Sequence, residues 1–150
     1  TIKNFVLNLS HRFKEMNNLR FATAIHILVL TEKFKGQLIT SDFIAGSINV
    51  NPVVVRREIK FLKEAGFIDS KKGKEGGIYL VKDSADILLG DVYKIVNQEN
   101  IFGRMNHTNP ECPVGKQMND NLEKLFDHAE SELIKSLNHK TLKQFSDKFK

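Results

Sequence analysis

Residues Asn51–Gly66 read NPVVVRREIKFLKEAG, and this stretch decides the fold. Asn is a strong N-cap and Pro suits the first helical position, so a helix starts at Pro52. It runs to Ala65 and stops at Gly66, a residue free to take the left-handed conformation that closes a helix. At about 100° per residue, Val55, Ile59 and Leu62 fall within about 60° of one another. Val53, Arg56, Arg57 and Lys60 occupy an arc of about 100° on the opposite side. One face packs while the other presents cations. The major groove of DNA admits such a helix, with its first turns at the base edges.

The flanking sequence supplies the rest of a motif. Upstream, Thr40 and Ser41 offer an N-cap and Asp42 an acid in the first turn, opening a short helix through Phe43, Ile44, Ala45 and Ile48. Before it, Leu19–Phe34 is apolar almost all round, the mark of a buried helix, and Gly36 is its stop. Downstream, Phe67–Lys72 reads as a strand, Gly73–Gly77 as a turn and Ile78–Lys82 as the returning strand. Lys71, Lys72 and Lys74 cluster at the tip, where glycines let the backbone approach a phosphate strand or a minor groove. The order helix, short helix, turn, helix, hairpin is that of a winged helix-turn-helix. Between Pro52 and Lys74 seven Lys or Arg stand against three acids, a local net of +4 in a 150-residue chain whose whole net charge is +5. Most of the excess charge sits where the motif needs it.

Beyond a polar break at Asp83–Asp86, Ile87–Gln98 reads as an amphipathic helix through Leu88, Leu89, Val92, Ile95 and Val96. Glu99–Gly115 reads as an irregular loop. From Lys116 a long helix carries an apolar stripe of Met118, Leu122, Leu125, Phe126, Ala129, Leu133 and Leu137, and a shorter piece ends with Leu142, Phe145 and Phe149. A long helix with one apolar stripe needs another surface over it. The first unit is too small to offer much groove, so pairing with a second copy is expected. The fold class is therefore mainly α with a small β-hairpin, a winged helix-turn-helix with a long C-terminal dimerisation helix. Its expected divisions are a leader or extra helix over 1–17, the DNA-binding domain over 18–98, a loop over 99–115, and the dimerisation helix with its tail over 116–150. The leader qualifies as a helix because Ile2, Phe5, Val6, Leu9, Phe13 and Met16 follow helical spacing.

Composition excludes several classes. Hydrophobic residues make up 41% and charged residues 27%, which suits a packed core and not wholesale disorder. The longest dense apolar stretch, Phe21–Leu30, holds ten residues and is broken by His26, whereas a membrane span needs about 20. The single cysteine, Cys112, excludes an internal disulfide framework, and with no secretion-type leader the expected compartment is the cytoplasm. No catalytic residue is expected: GKEGG lacks the Lys-Ser/Thr ending of a P-loop, and the five histidines are scattered. No metal or cofactor is expected either, because His107 and Cys112 find no further ligands at usual spacings. Cys112 itself sits in a Pro-rich loop before the long helix, either as a thiol sensor or as a small packing residue.

At this point the residues resemble a known family. Arg20-Phe21 opening the first helix, the run NPVVVRR, the hairpin SKKGKEGGIYL over Ser70–Leu80 and CPVG over Cys112–Gly115 look like the Rrf family of bacterial winged-helix regulators, typified by IscR and NsrR. Within it the chain resembles the cysteine-poor, YwnA-like members. The likeness spans Asn18 to about Leu137. It implies a homodimer whose wings read the minor groove of a pseudo-palindromic operator. It also implies that Ser41, Asn51, Val53, Arg56, Arg57 and Lys60 meet the major groove or its phosphates, with Lys72 at the wing position that enters the minor groove. There are departures. Glu75 stands where the family wing often has glycine, and Ile78 replaces a frequent aromatic. Cluster-binding members carry three cysteines before the long helix, where only Cys112 is present here.

Two function classes follow. The first is a sequence-specific transcription regulator, expected to act as a repressor without an iron–sulfur cluster, whose effector the sequence does not reveal. The second is a winged-helix protein-interaction module whose basic face meets acidic partners. Steep salt dependence and preference for one duplex sequence separate them.

Overall fold

The chain from Phe21 has no polar face wide enough to meet solvent, and it becomes the central helix. The computed structural model describes residues 19–98 and 101–150; the expected leader lies outside them. Helix α1, described over residues 19–33, fully buries Ala24, Ile27 and Leu28. It gives way to a turn at Phe34, one residue before the expected end, and Gly36 takes φ +90°, where a side chain would be strained.

Helix α2 covers Ser41–Ile48. Of its two candidate caps Thr40 is the one used, its hydroxyl accepting from Phe43 N at 3.1 Å. Asn49 ends the helix in the left-handed conformation. Asn51 then caps α3, Pro52–Glu64, its Oδ1 accepting from Val53 N at 2.9 Å. Strands β1, Ile68–Lys71, and β2, Gly77–Leu80, pair antiparallel with Ile68 opposite Leu80 and Lys71 opposite Gly77. Both strands are shorter than expected. Phe67 lies outside the ladder, and its carbonyl accepts from Val81 N at 3.1 Å. A third segment joins the hairpin: Ile39 and Ile78 exchange hydrogen bonds of 2.8 and 3.2 Å. The Ile39 backbone lies so near Gly77 that a Cβ there would stand 2.7 Å from its carbonyl oxygen.

After a 3₁₀ turn at Ser84–Asp86, helix α4 covers only Leu89–Val96. Ile87 and Leu88 stay extended because the C-terminal segment takes up their backbone groups. Leu142 N donates to the Ile87 carbonyl at 2.8 Å, and Leu88 bridges Thr141. Helix α5 runs Pro113–Leu137, beginning three residues before the expected Lys116, because Cys112 caps it and Pro113 takes its first position. Helix α6, Leu142–Ser146, opens with a capping box of Thr141 and Gln144. The expected tail is thus docked: Leu142 is fully buried in the same core as Ile27, Ile44, Val55 and Val92. Burial of one such side chain is worth about 1.5–3 kcal/mol. Helices α4 and α5 approach closely at Gly90, where a Cβ would lie 2.7 Å from the Ile134 carbonyl oxygen.

Candidate nucleic-acid interface

Helix α3 separates its two faces much as its spacing demands. Val55 and Leu62 are fully buried, whereas Val53 is 65% exposed in the first turn, and Arg56 and Lys60 are also exposed. Ile59 lies between the faces, half-buried.

The α3 side chains, the start of α2 and the wing meet around one cleft of about 560 Å³. Ser41, Arg56, Lys71 and Lys72 line it, joined by Thr40, Ile59 and Ser70. Arg56 is steadied across the turn, its Nε donating to Ser41 Oγ at 3.3 Å and its Nη2 lying 3.5 Å from Asp42 Oδ1. Both groups are exposed, so this pair holds the guanidinium in place more than it stabilises the fold. Asn51 is occupied as the α3 cap, and Lys60 lies 3.9 Å from Glu64.

The wing tip depends on its glycines. Gly73 takes φ +116°, Gly76 N donates to the Gly73 carbonyl at 3.0 Å, and a Cβ at Gly76 would stand 2.2 Å from the Lys71 carbonyl oxygen. Glu75 is exposed at this tip beside Lys72 and Lys74. Among the described residues Lys71, Lys72 and Lys74 make no ion pair. Lys63 differs. It clips α3 to the wing base, 2.9 Å from Asp69 Oδ1 and donating to Ser70 Oγ at 2.7 Å. That hydrogen bond from Lys63, then the one from Ser70 N–H, holds the Asp69 carboxyl below the usual range.

Arg57 also differs from Arg56. Its Nε donates to Glu58 Oε1 at 3.1 Å, and its side chain is only 38% exposed. Glu58 is completely buried and also accepts from Arg20 on α1, at 2.9 and 3.2 Å. Composition alone makes Glu58 one of the three acids among the cations of Pro52–Lys74 and brings no Arg20 to the site. The signal was there: Glu58 stands three residues after Val55 and four before Leu62, a charged residue on an apolar stripe.

Cys112 is exposed, with its Sγ accepting from Gly115 N at 3.4 Å. That hydrogen bond, then one from Val114 N–H, pulls the thiol pKa below its ordinary value, so the helix's own amides act on it and not His107 or Glu111. No residue of α5 is buried in the single chain. Met118 and Leu125 are exposed at 38% and 59%, and Leu122, Phe126, Ala129, Leu133 and Leu137 are half-buried. Phe126 stacks on Phe102 at 4.6 Å, and Leu137 faces a groove beside α1. Among the described residues no helix is long and apolar enough to cross a membrane.

Comparison with known proteins agrees with this geometry. Residues 18–148 match the Rrf2 family, described as an iron-dependent transcriptional regulator. The chain is 43% identical over 129 residues to YwnA of Bacillus subtilis (strain 168), described as an HTH-type transcriptional regulator, covering 85% of this chain and 95% of that one. A crystal structure described as a DNA binding protein superposes with a TM-score of 0.67 at 39% identity, over 84% of this chain and 97% of the other. A crystal structure of a transcriptional regulator from Lactobacillus plantarum has the same fold, with a TM-score of 0.76 at 24% identity, over 86% and 88% of the two chains. The iron of the family description does not fit these residues. A cluster needs several thiolates, the sequence holds one cysteine, and no group of three or more His, Cys, Asp or Glu able to hold a metal occurs among the described residues.

Proposed function

This chain belongs to the Rrf2 family of transcriptional regulators, and on that premise we propose that it is a homodimeric, cytoplasmic repressor that reads a pseudo-palindromic operator in double-stranded DNA. One observation carries the reading: Arg56, Lys71 and Lys72 surround a single open cleft beside the exposed first turn of α3. Cations fixed around a concave surface attract a phosphate strand, while a helix end free of packing reaches base edges. Val53 is the apolar contact at that end, suited to a thymine methyl. Ser41, Asn51 and Lys60 flank it, and Lys74 joins Lys72 on the wing. Pairing is supported by α5, whose 25 residues include none buried. Two copies joined along Met118, Leu122, Leu125, Phe126, Ala129, Leu133 and Leu137 would grip two half-sites together.

Selection of bound sites from random duplexes, followed by titration across salt, tests the function. A symmetric site whose affinity falls steeply with salt is the expected result. Equal binding to unrelated duplexes would leave only a basic interaction surface. Repression is read from a reporter placed behind the selected site.

A further inference from the structure

A second concave surface, of about 970 Å³, lies away from the cleft, between α1, the end of α5 and α6. Phe21, Ile25 and Val29 form one wall, with Leu137 and Phe145 opposite. Among the described residues its charged lining side chains are Lys33 and Lys150, with no Asp or Glu. Lys33 donates to the Phe149 carbonyl and so holds its ammonium at the groove. An apolar wall of this size favours hydrocarbon over water, and a rim of one sign favours an anion.

The groove also touches the reading head. His26 lines it, and His26 Nε2 lies in a hydrogen bond 3.0 Å from Ser47 Oγ on α2. The other end of α2 carries Ser41 and Asp42, the residues that steady Arg56. The most exposed apolar side chains of α5, Val114 and Met118 near its start and Leu125 at its middle, are not among the residues that line the groove. The groove shares Leu137 with the stripe assigned to pairing, and the rest of that stripe lies outside its lining.

We propose that this groove binds an amphiphilic carboxylate, its hydrocarbon chain against α1 and its carboxylate at Lys33, and that occupancy shifts operator affinity through His26 and α2. The regulatory half rests on the DNA-binding reading above; the binding site does not.

The test is calorimetric titration of the full chain, without DNA, with decanoate, decylamine and 1-decanol below their micellar concentrations. One decanoate per chain is expected, about tenfold or more tighter than decylamine. Lys33→Glu should abolish that preference. Ala22→Trp, which places an indole in the groove from an exposed helical position, should weaken decanoate about tenfold or more. Circular dichroism checks that each variant is folded, and Lys33 is exposed enough for its variant to serve alone. Equal affinity for decylamine, no saturable binding, or binding indifferent to both variants overturns the site. So does binding that dissociates the oligomer, or that arises only in full-length Phe5→Glu/Phe13→Glu, because a second copy or the chain's own N-terminal residues would then be the occupant. In a second arm, operator affinity is measured with decanoate saturating, and a shift of about fivefold or more is expected. No shift overturns the regulatory half. Decanoate binding in a protein that binds no duplex would instead count against the DNA-binding reading and uphold the site.

Discussion

Glu58, wholly buried on α3, is held by Arg20 of α1 through two hydrogen bonds, Nε to Oε1 at 2.9 Å and Nη2 to Oε2 at 3.2 Å. The forked contact ties the candidate recognition helix to α1. Without Arg20 the buried carboxylate keeps Arg57 but loses the partner of its second oxygen. Arg20→Ala should therefore lower stability by about 1–3 kcal/mol in urea unfolding. Arg20→Met with Glu58→Leu should recover most of the loss, since a buried ion pair is often replaceable by apolar side chains. A double variant no more stable than Arg20→Ala would show that the pair does more than cancel its own desolvation.

The two adjacent arginines of α3 should behave differently. Arg56 lines the cleft and is held by exposed neighbours, so Arg56→Ala should cost operator binding about 1–3 kcal/mol if it removes a base contact. Arg57 is engaged by Glu58, so Arg57→Ala should show first as lost stability and less as lost affinity. Duplex titration beside urea unfolding separates them. Equal affinity losses with unchanged stability would place both guanidinia on DNA.

Lys72 stands on the wing with no ion pair among the described residues. Lys72→Ala should weaken binding and, if the side chain neutralises a phosphate, reduce the salt slope by about one. An unchanged slope and affinity would remove the wing from the interface.

For pairing, Leu125→Lys is the informative change, because Leu125 is 59% exposed in the single chain and its loss should not unfold it. Sedimentation should show a dimer for the parent and a monomer for the variant at micromolar concentration. A parent protein that sediments as a monomer would overturn the proposed assembly.

Cys112 supplies the pH-dependent case. Its folded pKa is depressed by the amides of Gly115 and Val114. The thiolate is therefore favoured by folding, and its contribution to stability is present above the unfolded thiol pKa and lost as pH falls through the lower folded value. Alkylation by iodoacetamide should show a midpoint below the ordinary thiol value of about 8.5. Cys112→Ser keeps a capping side chain and should retain operator binding. Oxidant sensitivity of the parent that the Ser variant lacks would instead make this thiol a switch.

Much of the fold was legible because its signals are local. Asn51-Pro52, Gly66 and the glycine-rich tip each act within a few residues, and each falls within a residue or two of its expected place. What escaped were contacts between distant positions. Nothing near Ile39 announces its pairing with Ile78, and nothing near Leu88 announces Thr141, which shortens α4. The site divides the same way. The cations around the cleft could be read from one helix and one hairpin, whereas Arg57 is engaged by Glu58, whose other partner is Arg20, far away on α1.

The bridge between Leu88 and Thr141 has a mechanical consequence. Helix α5 is clamped just past its end by that bridge and at its final turns by the tight approach at Gly90. Among the described residues its first half meets the loop around Asn106, and Phe126, just past its middle, stacks on Phe102. It is a cantilever. With 25 residues it reaches about 37 Å, so a tilt of about 5° at the clamp displaces the free end by about 3 Å. In a pair joined along α5, the stiffness of that clamp would govern how far apart the two recognition helices stand, and hence which spacing of half-sites the pair can span without strain.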